Sequence, residues 1–400
     1  MTGVSLSAAR RLSMWLILIA LVAAIAEGGS FVALRAIKHS PARFLVWDPD
    51  LTQLPKIWAD AAGQWDEDLG WPAPRDATAP PRDHTGAKLN TDFPEPGTAC
   101  AAAYGDSFVW GEEVAPAEGW IEQLSRLIGC RVSNYGVSGY GTDQSFVRFH
   151  RNTGEAAPVV ILGIFAENVV RNVVDYRSFL GQAPHPLWLK GRFRLDTAGA
   201  LVWSARPKLD AAGFIALHRE PKRILPHGYA LPDTRDGPVS IRFPYTIAAL
   251  RIAMAPRVLT RLTDRPSWAD FFDRDHPSGA LLLTTAILEA FAREVRERGK
   301  HPLVVMLPGA SDFRAQVKFG AFQYRPLVEA MTTRKVEVFD AGPALRAALG
   351  ARSPCELYVQ PADCSGHYGV AGGAIVAQVV AAELRRRGWV KCWQALCLPR

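Results

Sequence analysis

The chain has 400 residues, enough for one large domain or a domain with appendages. Apolar residues make up 48% and charged residues 21%, which excludes wholesale disorder and collagen-like, coiled-coil or polytopic membrane architectures. Lys and Arg number 46 against 39 Asp and Glu; the net +7 forms no clustered basic stripe, so no nucleic-acid partner is expected.

Arg10 and Arg11 precede LSMWLILIALVAAIA, a run without charge; Glu27 interrupts it, and Phe31 to Leu34 resumes it. Read as one span, residues 12–34 are long enough to cross a bilayer. Read as a signal peptide, the run ends at Ala24-Ile-Ala26, a small-x-small cleavage pattern. The apolar residues after Glu27 favour the uncleaved anchor. Both readings keep residues 1–11 in the cytoplasm and send the rest outward. In a bacterium that is a single-pass inner-membrane protein facing the periplasm or exterior. Cysteines occur at 100, 130, 355, 364, 392 and 397, with no C-x-x-C or Cys/His zinc spacing, so no metal is expected. Adjacent parallel strands would bring Cys100 and Cys130 together as a disulfide.

Residues 35–98 are rich in proline and acids and read as an extended linker wrapping the domain. From 99 the pattern changes. ACAAAYG is a short strand, and WIEQLSRLIG has helical spacing through Trp120, Leu124, Leu127 and Ile128. RVSN leads to a glycine-rich turn, and PVVILGI at 158–164 is an unbroken apolar run, as a buried parallel strand should be. Residues 175–275 have weak periodicity and read as an insertion beside the substrate. LLLTTAILEAFAREVRERG is an amphipathic helix stopped by Gly299; PLVVMLPG and KVEVFD are strands; a last helix spans about 370–387, before a tail at 391–400. Strands alternating with helices predict an α/β fold over 99–390: a three-layer α/β/α sandwich with a parallel, flavodoxin-like sheet. Chemistry in such sheets gathers at the carboxyl ends of the strands.

Four turns there carry candidate residues. Gly105-Asp106-Ser107 follows the first strand, where a serine opening a helix exposes its hydroxyl beside the positive end of the helix dipole. Taken alone, the tripeptide is also an ordinary turn and N-cap. Asn134-Tyr-Gly136-Val-Ser-Gly139 follows the second strand, its glycines letting backbone N–H groups approach a ligand. Glu167-Asn168 follows the third, where an asparagine amide can face a developing oxyanion. Asp363-Cys-Ser-Gly-His367 stands before the last helix, placing a histidine within reach of Ser107 as a general base. Arg171, one helical turn past Asn168, is either a contact for an anionic or hydroxyl-rich substrate or half of a structural salt bridge.

Together, in this order and spacing, the four blocks resemble the SGNH/GDSL hydrolase superfamily over roughly 99–180 and 350–387. GDSFVWGEEV, NYGVSGYGTDQ and ENVVRN look closest to its membrane-anchored bacterial members. The resemblance implies that Ser107 is the nucleophile and His367 its base. The Ser107 N–H, the Gly139 N–H and the Asn168 side chain would form the oxyanion hole. No cofactor is implied. Two departures stand out. The family's acid lies three residues before the histidine, where this chain has Cys364; Asp363, four before, either fills the role across a longer turn or leaves it to a backbone carbonyl. Glu167-Asn168 replaces the usual Asn-Asp, so the register could slip to Asn172.

The expectation is a membrane-tethered extracytoplasmic serine esterase acting on O-acyl, foremost O-acetyl, groups of envelope or exported glycans. One alternative is an O-acetyltransferase served by a membrane acyl-donor protein. The other is a non-catalytic glycan-binding protein on the same fold, kept open by the displaced Asp363. No G-x-S-x-G, H-E-x-x-H, Walker or dinucleotide-binding motif is present.

Overall fold

Five short apolar runs pair side by side in the computed structural model, which describes residues 8–61, 65–71, 82–95, 99–181 and 187–390. They are β1 (Ala101–Tyr104), β2 (Val132–Asn134), β3 (Val159–Phe165), β4 (His301–Leu307) and β5 (Val338–Asp340). Their order is β2-β1-β3-β4-β5, all parallel. Ala101 lies opposite both Val132 and Val159, and Val159 opposite His301. Every residue of β3, and all of β4 except His301, is buried, which is why these segments read as continuous apolar runs rather than alternating ones.

The chain steps from β1 to β2 in one direction and returns past β1 to β3. With right-handed crossovers, the helix before β2 and the helix after it lie on opposite faces. The contacts agree: Trp120–Ile128 packs on Val370–Arg386, and Thr142–Arg151 packs on Ala280–Glu297. This is the expected three-layer α/β/α arrangement, and the chain reverses direction at β1, at whose carboxyl end such sheets gather their chemistry.

Cys100 and Cys130 form the expected disulfide, joining the residues just before β1 and β2. A second, Cys355–Cys364, closes an antiparallel hairpin of Tyr358–Gln360 and Ser365–Tyr368. Cys392 and Cys397 fall in the tail, outside the described residues.

The chain divides into two compact units, differently from the linker-and-insertion reading. The larger holds the sheet and residues 60–175, 188–208 and 263–400. The smaller holds 1–59, 176–187 and 209–262. The stretch 35–98 is therefore not a bare linker. Val46–Trp47 pairs in parallel with Val239–Ser240, and Leu34, Val46, Val239, Ala248 and Ile252 form the core of the smaller unit. In the larger unit, the Lys88 N–H donates to the Asn134 carbonyl at 2.8 Å, extending the edge at β2. Isolated buried residues between prolines leave no periodicity to read. The N-terminal helix spans Ala8–Lys38, and its apolar side chains from Leu12 to Val32 are exposed.

Candidate active site

β1 ends at Tyr104, and a one-turn helix, Ser107–Trp110, begins three residues later. Asp106 caps it: its Oδ1 accepts from the Phe108 N–H at 2.9 Å. Ser107 thus occupies the first helical position, where backbone N–H groups have no partner within the helix. The helix stops at Gly111, in the left-handed region, and Glu113 follows with φ at 69°. A non-glycine residue there costs about 1–3 kcal/mol and persists only when its surroundings fix it.

His367 is what fixes it. Glu113 Oε2 accepts from the His367 backbone N–H at 2.7 Å and pairs with His367 Nδ1 at 2.6 Å. On the ring's other side, His367 Nε2 lies 2.8 Å from Ser107 Oγ. With Nδ1–H donating to the carboxylate, Nε2 keeps its lone pair toward the serine hydroxyl. The ring rests near Phe108, centroids 4.9 Å apart. The hairpin carrying it is tied to the end of β4 by the Tyr358 and Tyr368 hydroxyls, which both donate to the Pro308 carbonyl, at 3.0 and 2.7 Å. Burial alone would raise the Glu113 carboxyl, but the bonds and charge of His367 outweigh it and hold the carboxyl below its ordinary range.

The structure therefore brings Ser107 and His367 together and leaves Asp363 out. Asp363 is exposed in the turn between the hairpin strands, before Cys364, whose φ of 50° and disulfide to Cys355 fix that turn. The position beside Nδ1 belongs to Glu113.

The turn after β2 is stitched to the serine turn. Asn134 Nδ2 donates to the Val109 carbonyl at 3.0 Å, and its Oδ1 accepts from the Gly136 N–H at 3.0 Å. A Cβ on Gly136 would sit 2.5 Å from the Trp110 nitrogen, so only glycine allows this approach. Gly139 has φ of 78°, and a Cβ there would strike Trp188, whose ring stacks on Trp71 at 4.6 Å. Trp188, from the 175–275 stretch, thus walls the turn, and Trp71 Nε1 holds it through the Ser138 carbonyl at 3.1 Å.

Asn168 opens a short helix after β3 and is 1% exposed. Neither its Nδ2 nor its Oδ1 has a hydrogen-bond partner among the described residues. Leaving such a group unpaired costs about 1–3 kcal/mol, so a buried free amide past the same sheet edge as Ser107 marks a place for a partner. Asn172 is spent: its Nδ2 donates to Thr284 Oγ1 at 2.9 Å and its Oδ1 accepts from the Asp143 N–H at 3.2 Å. Register at this block therefore stays with Asn168. β1, β2 and β3 are adjacent and parallel, so Ser107, Gly139 and Asn168 stand past the same edge of the sheet.

Arg171 takes the structural alternative. Its Nη1 donates to Asp106 Oδ2 at 3.0 Å and to the Tyr140 carbonyl at 3.1 Å, and its Nε to Glu167 Oε1 at 3.3 Å. The guanidinium locks the serine turn to the blocks after β2 and β3 instead of reaching for substrate. Glu112 was not anticipated either. It accepts from Ser138 Oγ at 2.7 Å and stands 3.8 Å from His367 Nε2, the ring nitrogen that faces Ser107.

No protein-family model and no curated protein matches the chain. Several solved structures are similar in fold at low identity. A putative lipolytic protein of the G-D-S-L family from Desulfitobacterium hafniense has 11% identity over 70% of this chain and 97% of its own, TM-score 0.35. LAE5, an alpha/beta hydrolase enzyme from the metagenome of Lake Arreo, has 13% identity over 74% and 97%, TM-score 0.37. An Axe2 mutant, an acetyl-xylooligosaccharide esterase from Geobacillus, has 15% identity over 74% and 98%, TM-score 0.37.

Proposed function

We propose that this protein is a serine esterase of the SGNH type that cleaves O-acyl groups through an acyl-serine. One observation carries the reading: the chain of contacts Ser107 Oγ to His367 Nε2 at 2.8 Å and His367 Nδ1 to Glu113 Oε2 at 2.6 Å. Nε2 takes the Ser107 proton as Oγ bonds to the ester carbonyl carbon. The carbonyl oxygen becomes an oxyanion, received by the Ser107 and Gly139 N–H groups and the free Asn168 amide. Collapse breaks the bond to the alcohol, which leaves with the proton from Nε2. Water then gives a proton to Nε2 and its oxygen to the acyl carbon, and Ser107 recovers its proton as the carboxylic acid departs. Glu113 holds the ring and stabilises the imidazolium in each half.

The site's charge points to a neutral, hydroxyl-bearing substrate. Arg171 is neutralised by Asp106 and Glu167, and Glu112 presents a carboxylate acceptor beside the nucleophile. An O-acylated, foremost O-acetylated, glycan meets those terms. The apolar N-terminal helix supports a tether to a bacterial inner membrane, with the sheet outside. An O-acyltransferase would share every step to the acyl-serine and replace water with a sugar hydroxyl, its acyl group supplied by a membrane partner. A purely glycan-binding role, kept open by the displaced Asp363, is disfavoured by the carboxylate that Glu113 sets beside His367 Nδ1.

The test is hydrolysis of p-nitrophenyl acetate and of an acetylated xylo-oligosaccharide by the full chain in detergent, with Ser107→Ala beside it. Turnover abolished in a folded Ser107→Ala supports the esterase. Turnover unchanged in that variant removes it. Acyl transfer to added oligosaccharide that outpaces hydrolysis would move the reading to the transferase.

A further inference from the structure

We propose that the two helices Tyr245–Ala253 and Pro256–Leu262 form a second membrane contact, lying in the lipid interface beside the N-terminal helix. The inference rests on reading that helix as a membrane anchor, and the occupant to which it commits is phospholipid.

The first observation is where exposed apolar side chains collect. Outside the N-terminal helix, twelve large hydrophobic residues are exposed among the described residues, and six of them fall within 243–262. They are Phe243 (72%), Ile247 (49%), Leu250 (55%), Met254 (65%), Leu259 (50%) and Leu262 (75%). Ile247, Leu250 and Met254 are spaced i, i+3, i+7 and share one helical face. The opposite face, Ala248 and Ile252, packs on Leu34, Val46 and Val239. The exposed face is thus not unfilled core; the core of this unit already has its own face. Scattered exposed hydrophobics need no explanation, but a contiguous set does.

The second observation joins this face to the anchor. Glu27 lies inside the apolar run, toward its outer end, where an ionised acid without partners is costly. Its carboxylate accepts from the Tyr245 N–H at 2.6 Å and the Thr246 N–H at 3.2 Å, at the positive end of the Tyr245–Ala253 helix. Phe31 packs beside Tyr245, ring centroids 4.9 Å apart. The start of that helix therefore sits at the level of Glu27. Glu27 precedes Leu34 by seven residues, about 10 Å of helical rise. An interfacial helix buries its apolar face about 5–10 Å into the boundary, so the depths agree. The acid that interrupts the apolar run becomes the attachment point for the second element.

The third observation is the rim. Arg35, Arg242 and Arg251 flank the face with side chains 46%, 68% and 50% exposed; Arg35 pairs with Asp48 and the other two with Asp233, so they border a lipid surface as long amphipathic stems rather than as free charges.

The test uses full-length protein in phosphatidylethanolamine/phosphatidylglycerol vesicles carrying a trace of phospholipid with a diazirine in its acyl chain. After irradiation, lipid adducts are mapped by peptide mass spectrometry. Adducts are expected on the N-terminal helix and on the 243–262 peptide. The triple variant Ile247→Ser, Leu250→Ser, Met254→Ser should lower the second yield severalfold and leave the first unchanged. Adducts on the N-terminal helix alone would overturn the proposal and keep the anchor. Adducts on neither would overturn both. In a parallel sample treated with a bifunctional diazirine cross-linker, links from 243–262 to another chain, with no lipid adducts there, would assign the face to a second copy or another protein and overturn the lipid assignment.

Discussion

Glu113→Gln removes a negative charge and leaves the side chain its length. Its Oε2 takes two bonds from His367, one from the backbone N–H and one from Nδ1. The amide oxygen of glutamine can accept both, so ring orientation survives while the charge that stabilises the imidazolium does not. Neutralising a buried triad acid costs about 10⁴ in kcat. The Glu113 side chain is 36% exposed, so water screens the charge it offers. The expected loss is about 10²–10³ in kcat, with KM little moved, because the interaction strengthens only as the imidazolium forms. Asp363→Asn should stay within about twofold of wild type, as expected of an exposed site that contacts no reacting atom. Initial rates of p-nitrophenyl acetate hydrolysis at neutral pH, with melting curves for each variant, make the comparison. A near-normal Glu113→Gln beside a crippled Asp363→Asn would refute the assignment. The stability sign is fixed as well. A carboxyl held below its ordinary range stabilises the fold above its unfolded pKa, and that contribution fades as pH falls through the folded value. The Tm gap between wild type and Glu113→Gln should therefore close in acid.

Other substitutions test the surrounding geometry. Asn168→Ala should lower kcat about 10²–10³ while Tm holds or rises, since the amide makes no bond that the fold needs; a large fall in Tm would show a structural role instead. Arg171→Leu should destabilise by about 3–5 kcal/mol in denaturant melts, because it strands the buried Asp106 carboxylate; a change under about 1 kcal/mol would count against that ion pair. Burial raises the Asp312 carboxyl to about 7, although it accepts from the Gly309 N–H and from Trp268 Nε1. A raised acid gives stability that is complete below its unfolded pKa and lost as pH rises through about 7. Asp312→Asn should thus gain in Tm relative to wild type between mildly acid and mildly alkaline buffer; a pH-independent difference would contradict the burial argument.

Where local chemistry sets the structure, the sequence was readable. Continuous apolar runs predicted β3 and β4 because strands buried on both faces must be apolar throughout. Gly105-Asp106-Ser107 and Asn134-Tyr-Gly136 predicted their turns because caps and close approaches demand those residue types. His367 was legible from its place before the last helix. Glu113 was not, although it lies only six residues past Ser107. It reaches His367 because Gly111 reverses the chain and Glu113 itself turns left-handed, and a backbone dihedral leaves no mark in composition. Asp363 drew attention through proximity in sequence, yet the disulfide-closed hairpin turns it to solvent. Arg171 could be read two ways because salt-bridge partners such as Asp106, 65 positions away, meet only after the sheet assembles. Residues 35–59 and 209–262 share a core through a few contacts far apart in sequence, a pattern with no period to detect.

Covalent capture tests Ser107 as the nucleophile most directly. Full-length protein is incubated with a fluorophosphonate, and the adduct is located by intact-mass and peptide mass spectrometry. One adduct per chain is expected, on Ser107, absent from Ser107→Ala and formed far more slowly by His367→Ala. An adduct on another residue, or none on a chain shown to be folded, would contradict it.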